Sequence, residues 1–540
     1  MASYTLKRLL HGIVSIIIVI VIVMLLVFSL LDRNQIFSGD SYFNSNKISN
    51  NDKYAYKYQK WEEYGYIYYA NYSTYLAGLK GKNEISDEDY TLAKTIYGKD
   101  FDETTLISAN DNEVAKKYIE KFKEEYTKQG YTLERKKGVY RTKTQLASGG
   151  SPIIIASKDV PLILRVFSFF GNLFSIDNIH YAKGIEDSQR KIEFTWNDPA
   201  YGGSFAPAIM GYGTKHRYLL YFDSTFPFIH QNLFTLRLGK PYSLNSNDLW
   251  EYMNNTEGAS NIQNVIYPSG KNFETSDDIH TLTYLQGSYN ETDPITSVRF
   301  VDDYTQVETS KNGITRMGYS FVIGIISSLL TYIIALPLGI HLARKKDKLA
   351  DKLGAIYIIF IMAVPSLAYI YIFREIGGSL FHLPTFFYTS AEQKAQYGLT
   401  IYILPIVSLA LPAIAGLMKW MRRYMIDQMN SDYVKFARSG GLSEREIFSK
   451  HISKNAMIFI LHGVPGTVLT SLTGAIITES IYSVPGVGNI LTKALQNFDN
   501  AVIVGITLFY ASLSVLSLIL GDILMALVDP RISFSTKGGR

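Results

Sequence analysis

The chain alternates between long stretches that exclude charge and stretches where charged and aromatic residues are mixed. The first uncharged run covers residues 12–31, behind Lys7 and Arg8. That is near the ~20 residues needed to cross a hydrocarbon core. A cleaved signal peptide would carry a shorter apolar region, about 7–15 residues, followed by small residues. Leu30-Leu31-Asp32-Arg33 offers no such site, so the run reads as a retained first span. No spanning run follows until about residue 316, and then five come in succession, near 319–343, 354–373, 399–420, 456–477 and 501–528. Pro337, Pro365, Pro405, Pro412 and Pro465 lie in these runs. Each proline frees a backbone carbonyl that neighbouring helices or a water-filled path must satisfy.

The pattern divides the chain into residues 1–33 (N-terminus and first span), a polar block 34–316, a helical core 317–528 and a tail 529–540. In the block, 86–97 and 112–128 read as amphipathic helices, the second with Ala115, Tyr118, Ile119, Phe122 and Tyr126 on one face. Residues 191–196, 217–222 and 297–307 alternate like strands, and Asn197-Asp198-Pro199 and Gly211-Tyr212-Gly213 mark turns. A mixed α+β domain follows. Residues 160–176 are more apolar than a surface helix and too short to span, broken by Arg165 and Gly171. They read either as a core helix or as a helix lying along the outer membrane surface.

Between the fourth and fifth apolar runs of the chain lies a polar loop, residues 431–455. Tyr433, Val434, Phe436 and Ala437 are spaced for one face of a short helix. Gly440 and Gly441 break it, and Ser443 restarts it with Glu446 at capping-box spacing. Helix, glycine corner and capped helix make a rigid projection. A basic amphipathic loop resting on anionic headgroups is the alternative.

Charge adds orientation. Lys7 and Arg8 precede the first span, Arg344, Lys345, Lys346, Lys348 and Lys352 follow the second, and Arg422, Arg423, Lys435, Arg438, Arg445, Lys450 and Lys454 follow the fourth. Arg531, Lys537 and Arg540 follow the last, while loops 375–398 and 478–500 are poor in Lys and Arg. The positive-inside rule then predicts cytoplasmic termini and an extracellular block 34–316. The net charge of +5 is small for 540 residues and gives no sign of a nucleic-acid partner. The absence of cysteine excludes disulfides, thiolate metal sites and cysteine nucleophiles.

Candidate chemistry is sparse. The sequence has no G-x-x-x-x-G-K-[ST], no H-E-x-x-H and no G-x-S-x-G, and His341, His451 and His462 are isolated. This favours a conduit or receptor over an enzyme. Two carboxylates fall in or beside spans: Glu479, expected near an interface where water could solvate it, and Asp522, about a turn from the same situation. Intramembrane carboxylates are costly and often functional, but either position also suits a structural role.

The loop 431–455 resembles the cytoplasmic coupling (EAA) loop of ABC-importer permeases in the variant of oligopeptide and dipeptide permeases, through Tyr433, Ala437, Gly441, Leu442, Ser443, Glu444, His451, Asn455 and Ala456. Lys435 and Phe436 stand where the general motif has Glu and Ala. The run Glu479, Ile481, Pro485, Gly486, Gly488 resembles the segment after the fifth span of peptide permeases, and Asp529-Pro530-Arg531 resembles their ending. Leu162, Phe170, Gly171, Asn172 and Leu173 resemble their outer-surface segment, and residues 213–233 the enlarged extracellular domain of Ami-type permeases.

The resemblance implies a polytopic α-helical membrane protein of ABC importer type I permease architecture. It would have six transmembrane helices, with the extracellular α+β domain inserted between the first two. Such a subunit is not itself an enzyme and binds no cofactor. It pairs with a second, homologous permease subunit; two cytoplasmic ATPases bind ATP and Mg, and an extracellular lipid-anchored binding protein delivers oligopeptide. Asp432, Tyr433, Val434, Phe436, Ala437, Gly440, Gly441, Leu442, Ser443 and Glu446 would couple to the ATPases, and Glu479, Pro485 and Gly486 would serve the path or its gate. The implied location is the plasma membrane of a Gram-positive-type bacterium. The rival is a membrane-anchored receptor or adhesin whose outer block is the working part.

Overall fold

A computed structural model describes residues 2–45, 50–97, 106–141, 146–176, 188, 190–197, 205–214, 216, 218–222, 228–244, 246, 248–254, 262–266, 272–276, 282–284, 305–307 and 314–528. The tail motif Asp529-Pro530-Arg531, Asp198-Pro199, Arg217 and most of the 297–307 segment lie outside the described residues. The chain opens with helix α1 (Ala2–Leu30) and divides into two compact units: Met24–Asn172 with Asn497–Asn500, and the remainder.

In the 24–172 unit, α2 (Asn50–Glu63) leads into strand β1 (Ile67–Asn71), then α3 (Tyr72–Gly81), α4 (Asp87–Lys94) and α5 (Glu113–Lys128). Strands β2 (Thr132–Arg141) and β3 (Leu146–Asp159) complete an antiparallel sheet of order β1-β3-β2, and α6 (Leu162–Gly171) follows. Ser86 and Asn112 cap α4 and α5 through their side chains, which is why these two helices start where they do. The predicted face of α5 is the buried one: Ala115, Tyr118, Ile119 and Phe122 pack with Tyr72, Leu76 and Ile154. Inside this core Arg135 and Asp111 form an ion pair with neither side chain exposed. Arg135 also donates to the carbonyls of Leu106 and Tyr97, and Asp111 accepts the backbone N–H of Ser108 and of Tyr97. One pair thus ties strand β2 to the chain on either side of the segment before α5. From Asn497–Asn500 this unit also receives the Asn500 side chain, which donates to the Tyr66 hydroxyl.

In the other unit, β4 (Phe174–Ile176) pairs with β9 (Phe234–Leu236), and β5 (Lys191–Asn197), β6 (Phe205–Tyr212), β7 (Tyr218–Phe222) and β8 (Ile229–Gln231) form an antiparallel sheet in that order. Helix α7 (Leu249–Asn254) and two short strand pairs, Ile262–Ile266 with Asn272–Ser276 and Leu282–Tyr284 with Thr305–Val307, precede the helical core.

That core comprises α8 (Arg316–Arg344), α9 (Leu349–Ala363), α10 (Ser366–Phe381), α11 (Ile403–Met429), α12 (Asp432–Ser439), α13 (Ser453–His462), α14 (Val464–Tyr482), α15 (Val487–Gln496) and α16 (Asn500–Val528). Among the described residues four helices are long and apolar enough to cross a membrane, and the bent pair α9–α10 makes a fifth if counted as one span. The expected third span is therefore not a simple rod: it turns by 110° between Ala363 and Ser366. Pro365 is the cause, since it lacks an N–H and drives the preceding Val364 into extended backbone (ψ 130°). The expected fifth span is likewise two helices, meeting at Gly463 before Pro465. Pro337 and Pro412, by contrast, sit inside continuous helices.

The buried pair generates the first prediction. Replacing Arg135 by Ala strands the Asp111 carboxylate and should cost the 24–172 unit roughly 3–5 kcal/mol. Burial alone would raise the Asp111 pKa, but hydrogen bonds from Arg135 and from the N–H of Ser108 and Tyr97 outweigh it and hold the carboxyl below its ordinary value. The stabilisation is therefore complete above the unfolded carboxylate value, about 3.9, and is lost as pH falls through the lower folded value. Proteolysis of the unit in isolated membranes should accelerate strongly in Arg135→Ala at neutral pH, and in the parent only below about pH 4. Equal protease resistance of the two at neutral pH would refute this account.

Candidate functional site

The 431–455 loop is built on the C-terminal ends of α8 and α11. Val434 is fully buried with Ala343, Met421, Met425, Ile447, Ile452, Ala456 and Ile460, and Tyr433 and Ala437 pack against the same cluster. The Tyr433 hydroxyl donates to Gln428 Oε1 at 2.8 Å. Helix α12 then ends in a Schellman motif. Gly441 adopts φ +82°, the N–H of Leu442 reaches the Ala437 carbonyl at 3.2 Å, and the N–H of Gly441 reaches that of Arg438 at 3.0 Å. Ser443 and Glu446 complete the capping box that their spacing predicts. A π-helical turn, Ile447–Ile452, follows and joins α13.

One ion pair braces this corner and a second joins the helices beside it. Arg438 grips Glu444 across the glycines, through Nε and through Nη2 at 3.1 Å. Side-chain hydrogen bonding lowers the Glu444 pKa and raises that of Arg438. Beneath the loop, Arg422 of α11 holds the buried Asp351 of α9, with Nη2 at 2.7 Å from Oδ2. Neither pair was anticipated from the sequence, although opposite charges flanking a Gly-Gly corner are a usable signal.

One predicted face needs correction. At 100° per residue Ala437 lies about 60° from the buried Val434 and Tyr433 about 100° from it, but Phe436 lies about 160° away, nearly opposite. The first three are spent on the chain's own core, while Phe436 is 76% exposed. Asp432 is exposed and pairs with Lys435, at 2.8 Å.

The second candidate, Glu479, is fully buried rather than solvated at an interface. It lies on α14, and its Oε2 accepts the N–H of Gly488 at 2.8 Å and of Asn489 at 3.2 Å, at the start of α15. The Ser320 hydroxyl of α8 donates to the same carboxylate and accepts the N–H of Val487 at 2.8 Å. Pro485 and Gly486 are buried in the tight connection. A Cβ on Gly486 would stand 2.3 Å from Glu479 Oε2 and 2.5 Å from Ser320 Oγ. Nearby, the Tyr482 hydroxyl bonds Ser408 Oγ of α11 at 2.8 Å, and its carbonyl accepts the N–H of Phe387. Glu479 thus binds three segments at one point. Asp522 also finds a partner within the protein: Arg8 Nε at 3.0 Å and the Tyr4 hydroxyl at 3.0 Å, both on α1. His462 reaches the Gly521 carbonyl. Among the described residues no group of three or more His, Cys, Asp or Glu is placed to hold a metal ion.

The Glu479 connection yields a stability test. Gly486→Ala should destabilise the protein by about 1–3 kcal/mol through overpacking, whereas Gly416→Ala, with open space around it, should not. The thermal midpoint of the detergent-purified chain reads the difference, and equal midpoints would contradict the packing described.

Residues 335–534 match the family described as binding-protein-dependent transport system inner membrane component. The chain is 32% identical over its whole length, and over all of the relative, to the oligopeptide transport system permease protein AmiC of Streptococcus pneumoniae. It is 31% identical to the inner membrane ABC transporter permease protein YejB of Escherichia coli O157:H7 over 40% of this chain and 63% of that one. A solved structure of the MetNI methionine ABC transporter covers 39% of this chain and 93% of its own, at 15% identity and TM-score 0.32. The full-length likeness includes the polar block as well as the helical core, which removes the reading of the spans as a mere anchor for a receptor or adhesin. The chain belongs to the oligopeptide permeases, the membrane subunits of ABC peptide importers.

Proposed function

We propose that the 431–455 loop is the lever through which ATPases drive this permease subunit of a peptide importer. The observation that carries the proposal is Phe436, an exposed aromatic on a helix whose other apolar residues are locked into the chain's own core. A large aromatic held rigidly at a tip suits insertion into a groove, and such anchors dominate interface energies. The Schellman turn, the capping box and the Arg438–Glu444 pair make the loop stiff enough to transmit displacement to α8 and α11. The surrounding assembly would hold a second permease subunit, two cytoplasmic ATPases that bind ATP and Mg, and a lipid-anchored binding protein outside. Asp432, Gly440, Leu442, Ser443 and Glu446 shape and cap the lever, while Glu479, Pro485 and Gly486 close the path by holding α14, α15 and α8 together.

In the same reading the chain crosses the plasma membrane of a Gram-positive-type bacterium six times, with α9–α10 and α13–α14 each forming one broken span. Both termini are cytoplasmic, and residues 34–316 are extracellular. Helix α6, with Ile163, Leu164 and Phe167 exposed, lies on the outer membrane surface.

Coupling is tested at Phe436. Phe436→Ala should weaken ATPase association by about 2 kcal/mol or more, roughly thirtyfold, and abolish peptide-stimulated ATP hydrolysis. Lys450→Ala on the following turn should be mild. Gly441→Val should uncouple as well, since a β-branched residue resists φ +82°. Full peptide-stimulated hydrolysis in Phe436→Ala would show that this loop is not the coupling element. Ala437→Glu is a poorer probe because Ala437 packs internally.

Orientation is tested separately, and the lack of native cysteine makes labelling clean. Lys82→Cys should react with an impermeant maleimide on intact cells and Arg445→Cys only after permeabilisation. The opposite pattern would invert the topology.

A further inference from the structure

Helices α1 and α16 pack antiparallel, with Tyr4 and Arg8 opposite Asp522 and Gly12 opposite Val515. Between them lies a cavity of about 570 Å³, within the range of small-molecule sites. Arg8 and His11 mark one end, and Ile16, Val19, Val515 and Leu518 supply apolar wall. Of the four hydroxyls that line it, Ser15 donates to the His11 carbonyl at 2.9 Å and Thr507 to that of Ile503 at 2.7 Å, while the Tyr510 hydroxyl is buried without a partner among the described residues. The cavity offers mainly hydrocarbon along its length and charge at one end.

Its length is informative. From Arg8 to Val19 a helix rises about 16 Å, close to half of a ~30 Å hydrocarbon core. One acyl chain of one leaflet fits that depth. The mouth is also specific. Arg8 meets Tyr4 and Asp522 through Nε, which leaves the two Nη groups of a half-exposed guanidinium. Lys7 is exposed beside it. Lys7 and Arg8 against Asp522 leave one net positive charge, which a singly anionic phospholipid neutralises and a zwitterionic one does not. Guanidinium forks suit phosphate oxygens.

We propose that this cavity is a binding site for one anionic phospholipid of the leaflet facing Lys7 and Arg8, its phosphate on those two residues and one acyl chain along Ile16 and Val19. The site does not depend on the role assigned to the 431–455 loop. It links the first and last spans, which otherwise meet at few points, by filling a void that would forfeit dispersion contacts.

The test uses the complete transporter in nanodiscs holding a minority of phosphatidylglycerol in phosphatidylcholine. A photoreactive benzoylphenylalanine replaces Ile16, and the adduct is identified by mass spectrometry. The expected adduct is phosphatidylglycerol, enriched over its share of the bilayer by roughly fivefold for each basic residue. Lys7→Gln, which keeps the Arg8–Asp522 pair, should lower the enrichment, and the double change with Arg8→Gln should bring it to the bulk ratio. Inorganic phosphate should not compete, because the acyl chain supplies part of the binding. A diazirine-bearing phosphatidylglycerol should label α1 and α16 of the unaltered protein at the same positions, which guards against a misfolded variant. Adducts at the bulk lipid ratio, a crosslink from position 16 to the second permease subunit, or no lipid adduct at all would each overturn the proposal.

Discussion

In a hydrocarbon core no backbone N–H or carbonyl can be left without a partner. This protein nevertheless breaks its helical core at Pro365 and at Gly463, and ends α14 at Ser483 in left-handed backbone. At the last of these, buried side chains repair the break. The Glu479 carboxylate takes the N–H groups that open α15, and Ser320 takes the one before them. A buried carboxylate is expensive in isolation. Here three hydrogen bonds replace part of its water while Oε1 stays without a partner among the described residues, and its position joins α8, α14 and α15.

The parts legible in the sequence were those written in local spacing. The face of α5, the capping box at Ser443 and the glycine corner at Gly441 each lie within a few residues, and each forms as its pattern predicts. The exception is instructive. Phe436 is close enough in sequence to Tyr433 and Ala437 to be grouped with them, yet it lies about 160° around the helix from the buried Val434 and stays exposed while they pack inward. The partners of Glu479 and Asp522 were not legible. Ser320 and Arg8 lie on helices far away along the chain, and nothing local records such a pairing. Helix breaks were half-legible: the prolines announced them, but only packing decided that Pro365 turns the chain while Pro412 is absorbed.

The two kinds of ion pair in the chain serve different ends. Arg135–Asp111 is sealed in a packed core and behaves as a clasp, whose loss costs stability. Arg438–Glu444 is exposed, and water screens most of its energy. Its value is geometric, because it holds an angle that the Schellman turn has already set.

The make-up of the 24–172 unit has a consequence for biosynthesis. It takes in Asn497–Asn500, and the Asn500 side chain bonds Tyr66. A ribosome delivers those residues only after most of the helical core has been made. The unit can assemble its sheet and helices early, but it reaches its final form only once the last connection before α16 has been synthesised and carried to the same side of the membrane. Completion of this unit therefore waits on the placement of the whole intervening chain.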